Sequence, residues 1–237
     1  MSHMKSIPLQ KYLSHNGYGS RRDGEQLIRE GKVLVNGSVA ELGAFVDPTD
    51  RVDVPSFVPR DPETWAFYKP RDIVTVNAQR DNKEISDITD LPDDVVPIGR
   101  LDKDSEGLIL LSNDSNLPSQ ILGSGVEKEY YVEVDKEITH GFLVEIRNGV
   151  RIKIPDRGGN MHWYKTKKTM ARRTSKTTFE IILTEGKNRQ IRRMCAALGY
   201  GIKTLRRFRI GDIELGDLHA GEMIKLDMSD RDNSFKN

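Results

Sequence analysis

The chain has 237 residues, 36% of them hydrophobic and 31% charged, which allows a real core beneath a large wetted surface. No run approaches the roughly 18 apolar residues of a membrane span, and no basic-then-apolar leader opens the chain, so a soluble, cytoplasmic protein is expected. The single cysteine, Cys195, cannot form an internal disulfide, which fits a reducing compartment.

The formal net charge of +1 conceals an asymmetry. Residues 165–209 hold six Lys and eight Arg against Glu180 and Glu185, a net +12, leaving −11 for the rest. A nucleic acid reads local positive surface rather than whole-chain charge. A charge run is also what an ordinary solvated, salt-bridged face looks like.

Met1-Ser2-His3-Met4 reads as a remnant of cloning and is set aside. Leu9, Tyr12 and Leu13 recur at helical spacing, predicting a helix over 8–15 that Gly17 and Gly19 end. Ser20 stands as an N-cap with Asp23 three residues on, Leu27 and Ile28 supply the buried face, and Gly31 closes the helix. Val33 and Val35 lead into Asn36-Gly37 with Val39 beyond, a hairpin signal, because both centres of a type I′ turn need positive φ. Val52 and Val54 suggest a closing strand. Pro55, Pro59 and Pro62 disfavour helix and sheet alike, so 5–54 is expected to be one module and 55–63 a linker.

Past the linker, strand-like runs at 65–68, 107–111, 130–134, 151–154 and 179–183 alternate with helical faces. Those faces are Leu117, Ile121 and Leu122; Phe142, Leu143 and Ile146; and Ile191, Met194, Cys195 and Leu198. The mixed order indicates an α+β fold over 64–228, followed by a polar tail at 229–237. Lys165, Lys167, Lys168, Arg172 and Arg173 are expected to form an RNA-contacting hairpin around Thr169. Trp163 and Tyr164 read either as base platforms or as core aromatics.

The run from Pro97 to Asp114 is rich in carboxylates. Asp102, Asp104, Glu106 and Gly107 have the opening spacing of a calcium loop, but position 12 is Asn113 and Leu108-Ile109-Leu110-Leu111 is a buried strand. A metal-dependent nuclease would need further ligands, and His3, His15, His140, His162 and His219 are scattered singly. Asp102 beside Arg100 then reads equally as a reactive carboxylate held by a cation and as a turn cap.

Motifs elsewhere bear on that choice. Gly99-Arg100-Leu101-Asp102 with Asp104-Ser105-x-Gly107-Leu108-x-Leu110-Leu111-x-Asn113 resembles the signature of the pseudouridine synthases. Tyr68-Lys69-Pro70, Glu127-Lys128-Glu129-Tyr130-x-Val132, Glu185 to Met194 and Leu205-x-Arg207-x-Arg209-Ile210 resemble four further motifs of that family, in order. Residues 9–37 resemble the S4 RNA-binding module, with Pro8 where Arg is usual and Gly24 where a small helix former is usual. Together these are similar to the branch of the ribosomal small-subunit synthase A, and nearest within it to the F-type synthases of large-subunit RNA.

The resemblance implies an S4 domain joined by a Pro-rich linker to a mixed, mainly antiparallel-sheet catalytic domain that isomerises a uridine in ribosomal RNA, expected to be 23S. The same chemistry on 16S or transfer RNA, or a silent RNA-binding assembly factor, is the alternative. It implies no cofactor and no metal; the partner is structured RNA, free or in an assembly intermediate, and a monomer is the simplest state. Asp102 would act on the ribose, as nucleophile at C1′ or base at C2′. Tyr130 would stack on the uracil, and Arg192 would pair with Asp102. Arg100, Lys69, Arg189, Arg193 and Leu205 would contact RNA or the extruded base, and Lys11, Tyr12, Arg21, Arg22 and Lys32 would form the basic face of the S4 module. Cys195 is expected in the core.

Overall fold

The computed structural model describes residues 6–55, 57, 61–79, 81–123, 125–156 and 158–227. The Met1–Met4 lead, part of the proline-rich linker and the polar tail lie outside them.

The N-terminal unit contains β1 (Ile7–Pro8), α1 (Leu9–His15), α2 (Arg21–Arg29), β2 (Leu34–Val35), β3 (Ser38–Val39), β4 (Phe45–Val46) and β5 (Val52–Asp53). Ser20 and Asp23 close a reciprocal capping box on α2, satisfying two otherwise orphaned N–H groups. Asn36 and Gly37, at φ 53° and 82°, turn β2 into β3. Leu9, Leu13, Ile28, Val33, Val46 and Val54 form a core of their own. Gly24 does not loosen α2. A Cβ there would lie 3.2 Å from the Gln10 carbonyl and 3.3 Å from Leu13 Cβ, so glycine lets the two helices pack closely.

The larger unit contains β6 (Thr64–Lys69), β7 (Val96–Ile98), β8 (Glu106–Ser112), α3 (Leu117–Ile121), β9 (Lys128–Val134), α4 (His140–Asn148), β10 (Arg151–Pro155) and β11 (Met161–Lys165). It continues through β12 (Met170–Arg173), β13 (Thr178–Leu183), α5 (Gln190–Ala197), β14 (Ile202–Ile210), β15 (Ile213–Glu214) and β16 (Met223–Leu226). The main sheet runs β12-β13-β9-β14-β8-β6-β16, with β15 on β14 and β7 on β8. All its pairs are antiparallel except β14 with β8.

That parallel pair is a seam between two antiparallel halves. On one side Val132, Val134, Phe179 and Ile181 pack against Phe142, Ile146, Met194 and Cys195 of α4 and α5. On the other, β8 is buried on both faces: Leu108 and Leu110 join one cluster, Ile109 and Leu111 another. Two-sided burial explains its unbroken apolar run. At the seam Gly107, φ 104°, lies opposite Arg207, and a Cβ on it would stand 2.2 Å from the Arg207 carbonyl oxygen. Only glycine fits there.

The expected hairpin around Thr169 is not what forms. β11 pairs with β10 in a separate two-stranded sheet, whereas β12 is the edge of the main sheet against β13. Thr169 lies at the crossing from one sheet to the other, its hydroxyl donating to the Ile182 carbonyl. Trp163 is exposed beneath Arg151 and Lys153, and Tyr164 is half-buried. Among the described residues no helix is long and apolar enough to cross a membrane.

Candidate active site

The turn between β7 and β8 holds Asp102 by its backbone. The Thr75 hydroxyl donates to the Leu101 carbonyl at 2.7 Å and accepts from its N–H at 3.1 Å. Ser105 N–H donates to the Asp102 carbonyl at 3.0 Å, and Leu101 is buried. The carboxylate therefore projects from a fixed frame, about 31% exposed.

Two guanidinium groups from the start of α5 meet it. Arg189 adopts a left-handed conformation, φ 50°, immediately before the helix. There it forks onto Asp104 at 3.1 and 2.9 Å and brings Nη1 to 3.3 Å from Asp102 Oδ2. Arg192, one turn on and largely buried, donates from Nη2 to the Asp104 carbonyl at 2.8 Å and the Ser105 hydroxyl at 3.0 Å. Its Nε stands 3.3 Å from Asp104 Oδ2 and 3.9 Å from Asp102 Oδ2. Burial works against ionisation of Asp104, and the Arg189 hydrogen bonds with the Arg192 charge outweigh it, holding the carboxyl below its usual range. Burial also pushes the Arg192 guanidinium down.

These groups open on a cleft of about 790 Å³ at the seam. Asp102, Tyr130, Lys128, Leu205 and Arg207 line it, with Arg100 and residues 183–191. Tyr130 faces Arg207 across β9 and β14, and Leu205 faces Val132, so these side chains share one face of the sheet. Glu185 braces the opposite wall: it accepts from the Tyr164 hydroxyl at 2.5 Å, the Gln190 amide at 2.9 Å and the Lys167 N–H at 3.0 Å. That carboxylate pushes the Tyr164 phenol up to about 12.

Residues 63–197 match the RNA pseudouridylate synthase family, and residues 7–52 match the S4 domain. The chain is 39% identical to the dual-specificity RNA pseudouridine synthase RluF of Escherichia coli strain K12, over 98% of this chain and 79% of the relative. It is 34% identical to the ribosomal large subunit pseudouridine synthase B of Bacillus subtilis, over 92% and 91% respectively. The chain belongs to the RNA pseudouridine synthases. A solved pseudouridylate synthase, 26% identical, shares the fold with a TM-score of 0.67 over 94% of this chain and 97% of that one.

As a pseudouridine synthase the protein is an isomerase acting on RNA, and its sequence-predicted site residues do not all meet in one place. Asp102, Tyr130, Arg100, Arg189 and Leu205 come together at the cleft. Arg192 backs the turn from behind, and the closer cation to Asp102 is Arg189. Lys69 belongs to neither wall, which corrects its expected RNA contact. It is fully buried, its ammonium donating to the carbonyls of Pro70 at 2.6 Å and Ile73 at 2.7 Å. Burial pushes it down to about 8 despite nearby Asp104, Asp72, Asp102 and Glu106. Arg193 folds back on Asn188 at 3.0 and 2.9 Å.

In the S4 unit Arg21 and Arg22 are exposed at the start of α2, where N–H groups and the helix dipole favour an anion. Lys11 and Tyr12 are half-buried, and Lys32 pairs with Glu30 at 2.6 Å. Three further arginines of the +12 stretch are paired within the protein: Arg172 with Glu180, Arg173 with Glu137, and Arg209 with Glu127 and Glu129. Sequence reasoning singled out neither Lys128 nor Arg207. Both stood inside quoted motifs, but only the strand register turns them toward the cleft.

Proposed function

We propose that the protein converts a uridine of large-subunit ribosomal RNA to pseudouridine through Asp102. The observation that carries this reading is a carboxylate on a pinned turn, with Arg189 at 3.3 Å and Tyr130 lining the same cleft. Large-subunit RNA as the substrate draws support from the name of the Bacillus subtilis relative.

The target uridine leaves its stack at a cost of a few kcal/mol, least in a loop or bulge. Arg100, exposed on the rim, holds the distorted backbone. Tyr130 and Leu205 take the uracil between them, and Asp102 acts on the ribose, at C1′ as nucleophile or C2′ as base. Arg189, at 3.3 Å, and Arg192 behind the turn keep that carboxylate aimed. Once the base has turned and joined through C5, Tyr130 relays the C5 proton.

The test is a map of pseudouridines in total RNA from cells with and without the gene. One 23S site is expected to vanish without it and return with the wild-type protein but not with Asp102→Asn. Restoration by Asp102→Asn overturns the role of Asp102; loss at a 16S or transfer RNA site instead overturns the substrate.

A further inference from the structure

Two cations lie deeper in the cleft than any carboxylate explains. Lys128 is 8% exposed and Arg207 5% exposed, and neither has an acidic partner among the described residues. Among the described residues the Lys128 ammonium donates only to the Val126 carbonyl at 3.1 Å, and the Arg207 guanidinium only through Nε to the Leu108 carbonyl at 2.8 Å. Arg207 Nη2 is buried with no hydrogen-bond partner among the described residues. Such groups are costly to leave unpaired, and both line the cleft. Burial, with Arg207 alongside, pushes Lys128 down to about 8, so the two charges already oppose one another.

Their placement indicates what they meet. Arg207 is the cross-strand neighbour of Tyr130, and Lys128 lies two residues along the same face of β9. They thus flank the ring assigned above to the base. The exposed guanidinium groups, Arg100 and Arg189, stand at the rim, where a hydrated phosphate is accommodated at less cost. Resting on the proposed function, we infer that Lys128 and Arg207 bind the carbonyl oxygens of the target uracil and hold the negative charge it acquires on leaving the ribose. When the C1′–N1 bond breaks, its electron pair goes to N1 and spreads over O2 and O4. The uracil is then an anion until C5 bonds to C1′, after which the C5 proton departs and N1 regains one. Fixed cations aimed at a charge that exists only along the reaction path accelerate the step rather than merely tighten binding.

The experiment uses the full chain and a synthetic stem-loop around the mapped uridine, carrying uridine or 5-fluorouridine there. Single-turnover conversion is read by liquid chromatography of digested nucleosides, as pseudouridine from uridine and, since fluorine leaves no C5 proton to depart, as the fluorine-retaining C5–C1′ linked product from 5-fluorouridine. Fluorine at C5 makes the departing base a more stable anion and lessens its need for outside charge. Arg207→Gln is expected to slow uridine conversion on the order of 100-fold with RNA Kd within about threefold, and to slow 5-fluorouridine at least about tenfold less. Lys128→Met, which leaves the Arg207–Leu108 bond in place, is expected to show the same inequality, and thermal melts confirm that each variant folds. Equal losses on the two substrates, or a loss confined to Kd as a phosphate contact would give, overturn the inference. Asp102-dependent conversion by the wild type is a separate control, and its absence would overturn the proposed function instead.

Discussion

Arg189 and Arg192 meet the same turn and act on it differently. Arg189 presents a planar fork to Asp104 and an edge to Asp102, partly in solvent; Arg192 is buried and ties down the turn's backbone and Ser105. Lys69 is buried outside the cleft, bonded to the Pro70 and Ile73 carbonyls, and its burial has a measurable consequence. With a folded-state pKa of about 8 against 10.5 for the free side chain, the unfolded chain holds more protons between those values. Stability therefore rises with pH through that window and falls as pH drops through about 8. The neutral amine keeps two N–H donors, enough for the Pro70 and Ile73 carbonyls. Lys69→Met cannot titrate. The stability gap between it and the wild type, read from denaturant midpoints, is expected to move in the wild type's favour from pH 7 to pH 10. A gap constant over that range would show that Lys69 keeps its ordinary pKa.

At the scale of elements, the seam between β8 and β14 brings Asp102, Tyr130 and Arg207 to one cleft. Gly107→Ala would force a methyl to 2.2 Å from the Arg207 carbonyl at a φ of 104°. It is expected to cost more than about 2 kcal/mol in urea unfolding and to abolish conversion. A loss below about 0.5 kcal/mol would mean the strands can part without harm. The seam's two strands differ in how plainly they could be read beforehand. β8 announced itself by a run of apolar residues, as did the helix faces of α4 and α5. β14 did not, because Arg206, Arg207 and Arg209 interrupt it, and a buried arginine breaks the pattern on which strand prediction rests. β11 is exposed along nearly its whole length and has no alternation to detect. Asp102 was visible as a motif and Arg189 as an expected RNA contact, but the pairing of the two was not. That depends on the left-handed turn at Arg189, and residue spacing along a helix carries no record of it.

Over the whole molecule, the S4 unit is docked on the catalytic unit rather than trailing from it. The Ser115 hydroxyl donates to the Ser14 carbonyl, and Asn116 Nδ2 donates to the His15 carbonyl at 3.2 Å. These bonds satisfy carbonyls at the end of α1 with side chains from the loop that follows β8. The free face of the unit, with Arg21 and Arg22 at the start of α2, is thereby held in a set direction relative to the strand that follows Asp102. A basic face held so can set which segment of a folded RNA reaches the cleft while taking no part in the reaction. Replacing both arginines by alanine is therefore expected to weaken RNA binding and to reduce the slope of log affinity against log salt by roughly 1 to 2. Single-turnover conversion at saturating RNA should stay as in the wild type, since neither residue lines the cleft. An unchanged salt slope would remove phosphate contact from these two residues. A slowed reaction at saturation would mean instead that S4 docking and the Asp102 turn are mechanically coupled through the 113–116 loop.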